Sequence, residues 1–142
     1  MLDKAFHLYE YEFMFLLLHL RLFLTGLGIW VGATVVLRFA GQYLLRAGAW
    51  TAVLILFVVS FVFMALLARR LCREAHLSRE DWPRGAISLA LPTLLLDPFS
   101  SAFFPVVFPN MALGMAGVFG GWMLVCCAGA LTGSIVGRNK SA

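Results

Sequence analysis

Long runs of apolar positions, broken by short polar intervals, dominate the chain. Residues 22–43, LFLTGLGIWVGATVVLRFAGQY, form the first run, and residues 50–71, WTAVLILFVVSFVFMALLARRL, form the second. The second carries no charge before Arg69 and contains neither proline nor glycine. A polar interval follows, CREAHLSREDWPRG. Residues 86–108, AISLALPTLLLDPFSSAFFPVVF, and 111–137, MALGMAGVFGGWMLVCCAGALTGSIVG, are the third and fourth runs. Each matches the ~20 residues that carry an α-helix, rising ~1.5 Å per residue, across a ~30 Å hydrocarbon core. Only Pro109 and Asn110 separate the last two, which predicts a tight antiparallel hairpin.

Ahead of the first run, AFHLYEYEFMFLLLHLR mixes leucines and aromatics with His7, Glu10, Glu12, His19 and Arg21. That mixture predicts an interfacial lead-in helix over residues 1–21. Asp3, Glu10 and Glu12 against Lys4, followed by a long apolar stretch, do not fit a cleaved signal, so the segment is expected to be retained. In the polar interval, Ser78, Glu80 or Asp81 suits the N-cap of a short helix, with Pro83 in its first turn. The expected fold is all-α. It is a single membrane domain over residues 1–142, an antiparallel bundle of four transmembrane helices with an interfacial N-terminal helix and a kinked or broken third helix. No internal repeat is visible.

Composition agrees with a bilayer as solvent. The 142 residues are 62% hydrophobic and 13% charged, with a mean hydropathy of +0.92. Soluble domains carry about 25% charged and about 45–50% apolar residues. The position of the charges says more than their net value of +4. Arg69 and Arg70 at the end of the second run and Arg73, Arg79 and Arg84 after it lie on one side, and four crossings put Lys4, Arg21, Arg138 and Lys140 on the same side. Arg38 and Arg46 alone fall opposite, so the positive-inside rule predicts cytoplasmic N- and C-termini. Trp50 and Trp82 are expected near opposite membrane interfaces. No basic patch is interleaved with aromatics, which excludes a nucleic-acid binder. Cys72, Cys126 and Cys127 form no metal-ligand pattern, and adjacent cysteines make a poor structural bridge.

The residue that most resists a purely structural reading is Asp97. It lies ~16 Å into the third run, near the bilayer midplane. An aspartate there costs about 2.5–3.5 kcal/mol, so it is expected to face protein or water. Pro98 follows it, and Asp-Pro with Ser100 at the third position reads as a helix start. One reading is that the third helix breaks at Asp97 and restarts, as at transporter ligand and proton sites. The alternative is a proline kink whose carboxyl bonds to a neighbouring helix. Arg38, in the outer third of the first helix, either turns toward Asp97 or snorkels to the headgroups. Trp30 and Trp122 either line a cavity with Asp97 that attracts an apolar cation or pack with their indole donors on carbonyls. Gly28 and Gly32, and Gly117, Gly121, Gly129, Gly133 and Gly137, recur at four-residue spacing and are expected to mediate close helix packing, within one bundle or between copies. His7, His19 and His76 have no ligand spacing, and no metal or cofactor is expected. No nucleophile–base pair, phosphate loop or paired carboxylate is present, so nothing positive supports an enzyme.

Three segments, ATVVLRFAGQYLL, LPTLLLDPFSSAFFPVVFPNM and GVFGGWMLVCCAGALTG, together resemble a family of small bacterial four-helix membrane proteins known as a domain of unknown function. The resemblance covers about residues 22–136, and its pattern includes Arg38, Gly41, Asp97, Phe104, Phe108, Pro109 and Asn110. It implies residence in a bacterial inner membrane and supplies no activity. Three functions fit the chain at this stage. The first is a non-enzymatic protein that acts by helix-mediated assembly with itself or a larger membrane partner. The second is a small transporter or channel-like carrier using Asp97 as a proton- or cation-linked site. The third, a lipid- or quinone-linked membrane enzyme, rests only on Trp30, Trp122 and Cys126–Cys127.

Overall fold

The computed structural model describes residues 2–136, with side chains from residue 13 onward. Five α-helices appear in it: α1 (Leu2–Leu44), α2 (Trp50–Glu74), α3 (Trp82–Ala102), the single-turn α4 (Phe104–Val107) and α5 (Ala116–Ile135), the last preceded by a 3-10 turn at Leu113–Met115. There is no strand among the described residues. The stretches Phe13–Leu44, Trp50–Glu74 and Leu113–Ile135 are long and apolar enough to cross a membrane. The expected third run is not among them, because Pro92, Asp97, Pro98 and three serines dilute its apolar character.

The lead-in is not a separate element. α1 is one helix of 43 residues, ~64 Å long and about twice the thickness of a hydrocarbon core. No proline interrupts it, and its leucine-rich first half holds the helix through residue 21 without a break. The predicted short helix of the polar interval is absent as well. Its cap residues instead start α3 four residues early, with Pro83 in the first turn.

The helices stack in the order α1, α3, α5, α2. α1 and α3 run in the same direction: Leu22 faces Gly85, Gly26 faces Leu89, Trp30 meets Asp97 and Arg38 meets Val106. α2 and α5 are likewise co-directional, through Phe57 with Gly121, Phe61 with Gly129 and Ala65 with Gly133. The central pair, α3 and α5, runs antiparallel, with Ser101 opposite Gly120, but the tight turn expected at Pro109 and Asn110 is replaced by a connection over residues 103–115 that holds α4 and the 3-10 turn. Glycine sets the closest approaches. A Cβ at Gly26 would overlap the Leu89 carbonyl oxygen, and one at Gly133 would overlap that of Ala65.

Of the two readings of the third helix, the break at Asp97 is not observed, whereas a carboxyl bonded to a neighbouring helix is. α3 continues through both Pro92 and Pro98, and the chain leaves helical geometry only at Phe103 (φ −103°, ψ 30°). Pro98 withholds one amide, from the carbonyl of Leu94, but its fixed φ suits a helix. Asp97 does not fold back to cap the next turn, because its carboxyl is held sideways by another helix. The interruption comes where Pro105 deprives Ser101 of its donor and restricts Phe104 before it. Trp82 opens α3. It is buried rather than lipid-facing, donates its indole N–H to the Leu77 carbonyl at 3.1 Å, and is covered by Arg79 at 3.9 Å. Trp50 is exposed.

Candidate functional site

Asp97 is 8% exposed although it lies in the middle of an apolar bundle. The close contact of Gly26 with Leu89 draws α1 onto α3, and one turn further along α1 the indole of Trp30 reaches Asp97. Its Nε1–H donates to Asp97 Oδ1 at 2.8 Å. The other carboxyl oxygen, Oδ2, is buried and has no hydrogen-bond partner. A buried, unmatched oxygen of this kind costs about 1–3 kcal/mol, so its retention calls for a reason.

A cavity of about 190 Å³ adjoins this carboxyl in the seam between α3 and α5. Leu94, Asp97, Pro98 and Ser101 line one side, and Gly120, Met123, Leu124 and Cys127 the other. Asp97 is the charged residue among them. The seam has room because Gly120 presents no side chain: a Cβ there would meet only Ser101 Oγ, at 3.6 Å. Ser100, expected to join the site as a capping partner, instead donates its hydroxyl back to the Leu96 carbonyl at 3.3 Å.

Arg38 does not reach Asp97. Its guanidinium donates to the carbonyls of Val106 (3.0 Å) and Val107 (2.7 Å). These groups end α4, where Pro109 cannot continue the ladder, and a cation is favourable at such a terminus. Asn110 completes the clamp by donating to the Leu37 carbonyl at 3.0 Å and to Gln42 Oε1. Met111 packs over Gly41, and Phe104, Phe108 and Phe119 cluster with centroids 4.9–5.8 Å apart. The two arginine alternatives are thus replaced by a third, capping of a neighbouring helix. Arg69 does the same for the Val136 carbonyl after α5.

Trp122 and Trp30 share a role that the sequence reading divided between cavity and packing. Trp122 donates its indole N–H to Ser60 Oγ at 2.8 Å and ties α5 to α2. Neither tryptophan lines the cavity. Ser60 went unnoticed, although it is the lone polar side chain in the middle of α2 and so carried a signal. The glycines divide. Gly129 and Gly133 touch the α2 backbone and Gly121 the Phe57 ring, whereas Gly28, Gly32 and Gly117 have nothing within 4 Å. Gly137 and His7 fall outside the described side chains. Cys72, Cys126 and Cys127 are free, and among the described residues no three His, Cys, Asp or Glu side chains gather to hold a metal.

Residues 44–141 match a family of unknown function (DUF5367). The chain belongs to that family. The DUF5367 segment contains α2, α3 and α5, and with them Asp97, Ser100, Trp122 and the cavity walls. Trp30, Arg38 and Gly41 precede it on α1. No curated protein and no solved structure matches the chain.

Proposed function

We propose that this DUF5367 chain crosses a bacterial inner membrane four times with cytoplasmic termini, and works as a small carrier whose proton- or cation-linked group is Asp97. The fourth crossing is α3. Its 21 residues extend ~31 Å, enough for a hydrocarbon core. α1 and α5 flank it, which lets it carry Asp97 and Pro92 away from lipid. The observation that carries the proposal is the buried Asp97 Oδ2, unpartnered beside a cavity in the α3–α5 seam. Ionisable groups inside a membrane bundle mark substrate and proton pathways.

The test uses the full chain in proteoliposomes. Infrared difference spectra across a pH step are expected to contain a carboxyl C=O band that Asp97→Asn removes. An entrapped pH dye is expected to report gradient-driven proton flux several-fold above that of Asp97→Asn. A carboxyl that never exchanges, or equal flux in both proteins, refutes the carrier. Asparagine is the right control because its side-chain oxygen still accepts from Trp30.

Self-association remains the second reading, favoured by Gly28 and Gly32, which lie one turn apart on α1 with no contact in their own chain. A membrane helix presenting such a pair invites close approach by another helix. The geometry adds nothing to a lipid- or quinone-linked enzyme.

A further inference from the structure

The walls of the seam cavity restrict its occupant more than the charge of Asp97 does. It opens to the bundle surface where Leu94 and Leu124 are exposed, and at about 190 Å³ it is slightly larger than the ~150 Å³ enclosed apolar cavity known to admit benzene. It is smaller than the ~300 Å³ at which pockets for drug-sized ligands begin. Leu94, Pro98, Met123 and Leu124 supply apolar wall, and Ser101 and Asp97 supply oxygen. Trp30 already occupies Oδ1 of Asp97, which leaves Oδ2 as the buried acceptor in want of a donor.

We infer that this cavity binds a small primary or secondary organic ammonium of about the size of benzylammonium. Its hydrocarbon part rests on Leu94 and Leu124, and its N–H groups bond to Ser101 Oγ and to Asp97 Oδ2, which has no exposed surface of its own and turns toward the cavity on binding. The inference rests on the proposed role of Asp97 and names the ligand class for it. Other classes fit worse. A hard divalent ion wants about six or more oxygen ligands, and the wall offers one carboxyl and one hydroxyl. A quaternary ammonium has no N–H for the empty acceptor and is usually held by aromatic faces, which this wall lacks. An anion would meet a carboxyl and no cationic side chain.

Radiolabelled benzylammonium binding to the full chain in nanodiscs tests the inference. Saturable binding is expected, with benzyl alcohol and benzyltrimethylammonium competing about tenfold or more weakly, the worth of a charge-assisted hydrogen bond. Gly120→Leu, which fills the seam, is expected to abolish binding, and Ser101→Ala, which leaves the packing intact, to weaken it several-fold. The infrared carboxyl band, recorded on the same samples, reports whether the site is still built. Equal competition by the quaternary compound, or unchanged binding in both variants, overturns the inference. If the Asp97 band responds to pH while benzylammonium does not bind, the ligand class is wrong and the proton-linked carboxyl stands. If neither responds, both fall.

Discussion

His76 shows how much one residue can concede to its place in the chain. It sits just beyond α2 at φ 52°, a left-handed conformation that favours glycine. Its N–H donates to the Arg73 carbonyl at 3.0 Å and that of Leu77 to Cys72 at 3.2 Å, the paired bonds of a Schellman terminus. His76→Gly is therefore expected to raise stability by about 1 kcal/mol, seen as a higher unfolding temperature in detergent. A lower temperature would mean that the imidazole itself contributes. Asp97 gives the opposite contrast. Asp97→Asn keeps the Trp30 bond and should unfold within a few degrees of the native chain. Asp97→Leu strands the buried indole donor and is expected to cost about 1–3 kcal/mol. The position of Asp97 was legible because a lone carboxyl in an apolar run is expensive. Its partner was not, since Trp30 lies 67 residues away and nothing local marks it as a donor to this oxygen.

Between elements, four-residue glycine spacing signalled close approach without saying which glycines make it. Gly129 and Gly133 bear on α2, while Gly28 and Gly32, with the same spacing, face nothing in the chain. Gly26 makes the tightest contact of all and belongs to no four-residue pair. Gly133→Ala would press a methyl against a backbone oxygen that cannot rotate away. It is expected to force α2 from α5 and destabilise by about 1–3 kcal/mol or more. Gly28→Ala should leave the fold within about 0.5 kcal/mol of native or stabilise α1. Thermal unfolding of the two variants separates these outcomes, and native mass measurement of Gly28→Leu tests the self-association reading. The break in the third helix was misplaced for a related reason. A proline alone does not break a helix whose neighbours hold it, and the chain yields only where Pro105 and Pro109 follow in quick succession.

At the scale of the molecule, consecutive helices do not pack as consecutive layers. α1 and α2 share a five-residue connection, residues 45–49, yet α1 leans on α3 and α2 on α5. The polar, proline-bearing helix is thereby placed inside, and the most apolar one, α2, outside with Leu54, Val58 and Phe63 exposed. In a variant with its three cysteines replaced by serine, single cysteines at Ala47 and Ala112 are expected to be labelled only from outside. One at Ser78 should be labelled only from within. If Ala112 and Ser78 react from the same side, α3 does not cross and the four-span proposal fails.

The four long helices and the isolation of Asp97 were decided by the sequence alone, because the length of an apolar run and a buried charge act locally. The neighbours each helix has were decided only by tertiary structure. Lipid solvates an apolar helix as well as another helix does, so burial of apolar surface does not choose among partners. The choice falls to backbone contacts at Gly26, Gly129 and Gly133, to two indole bonds, and to arginines capping the ends of neighbouring helices. Those terms depend on which faces meet in space, and a one-dimensional pattern of apolar and polar positions does not contain them.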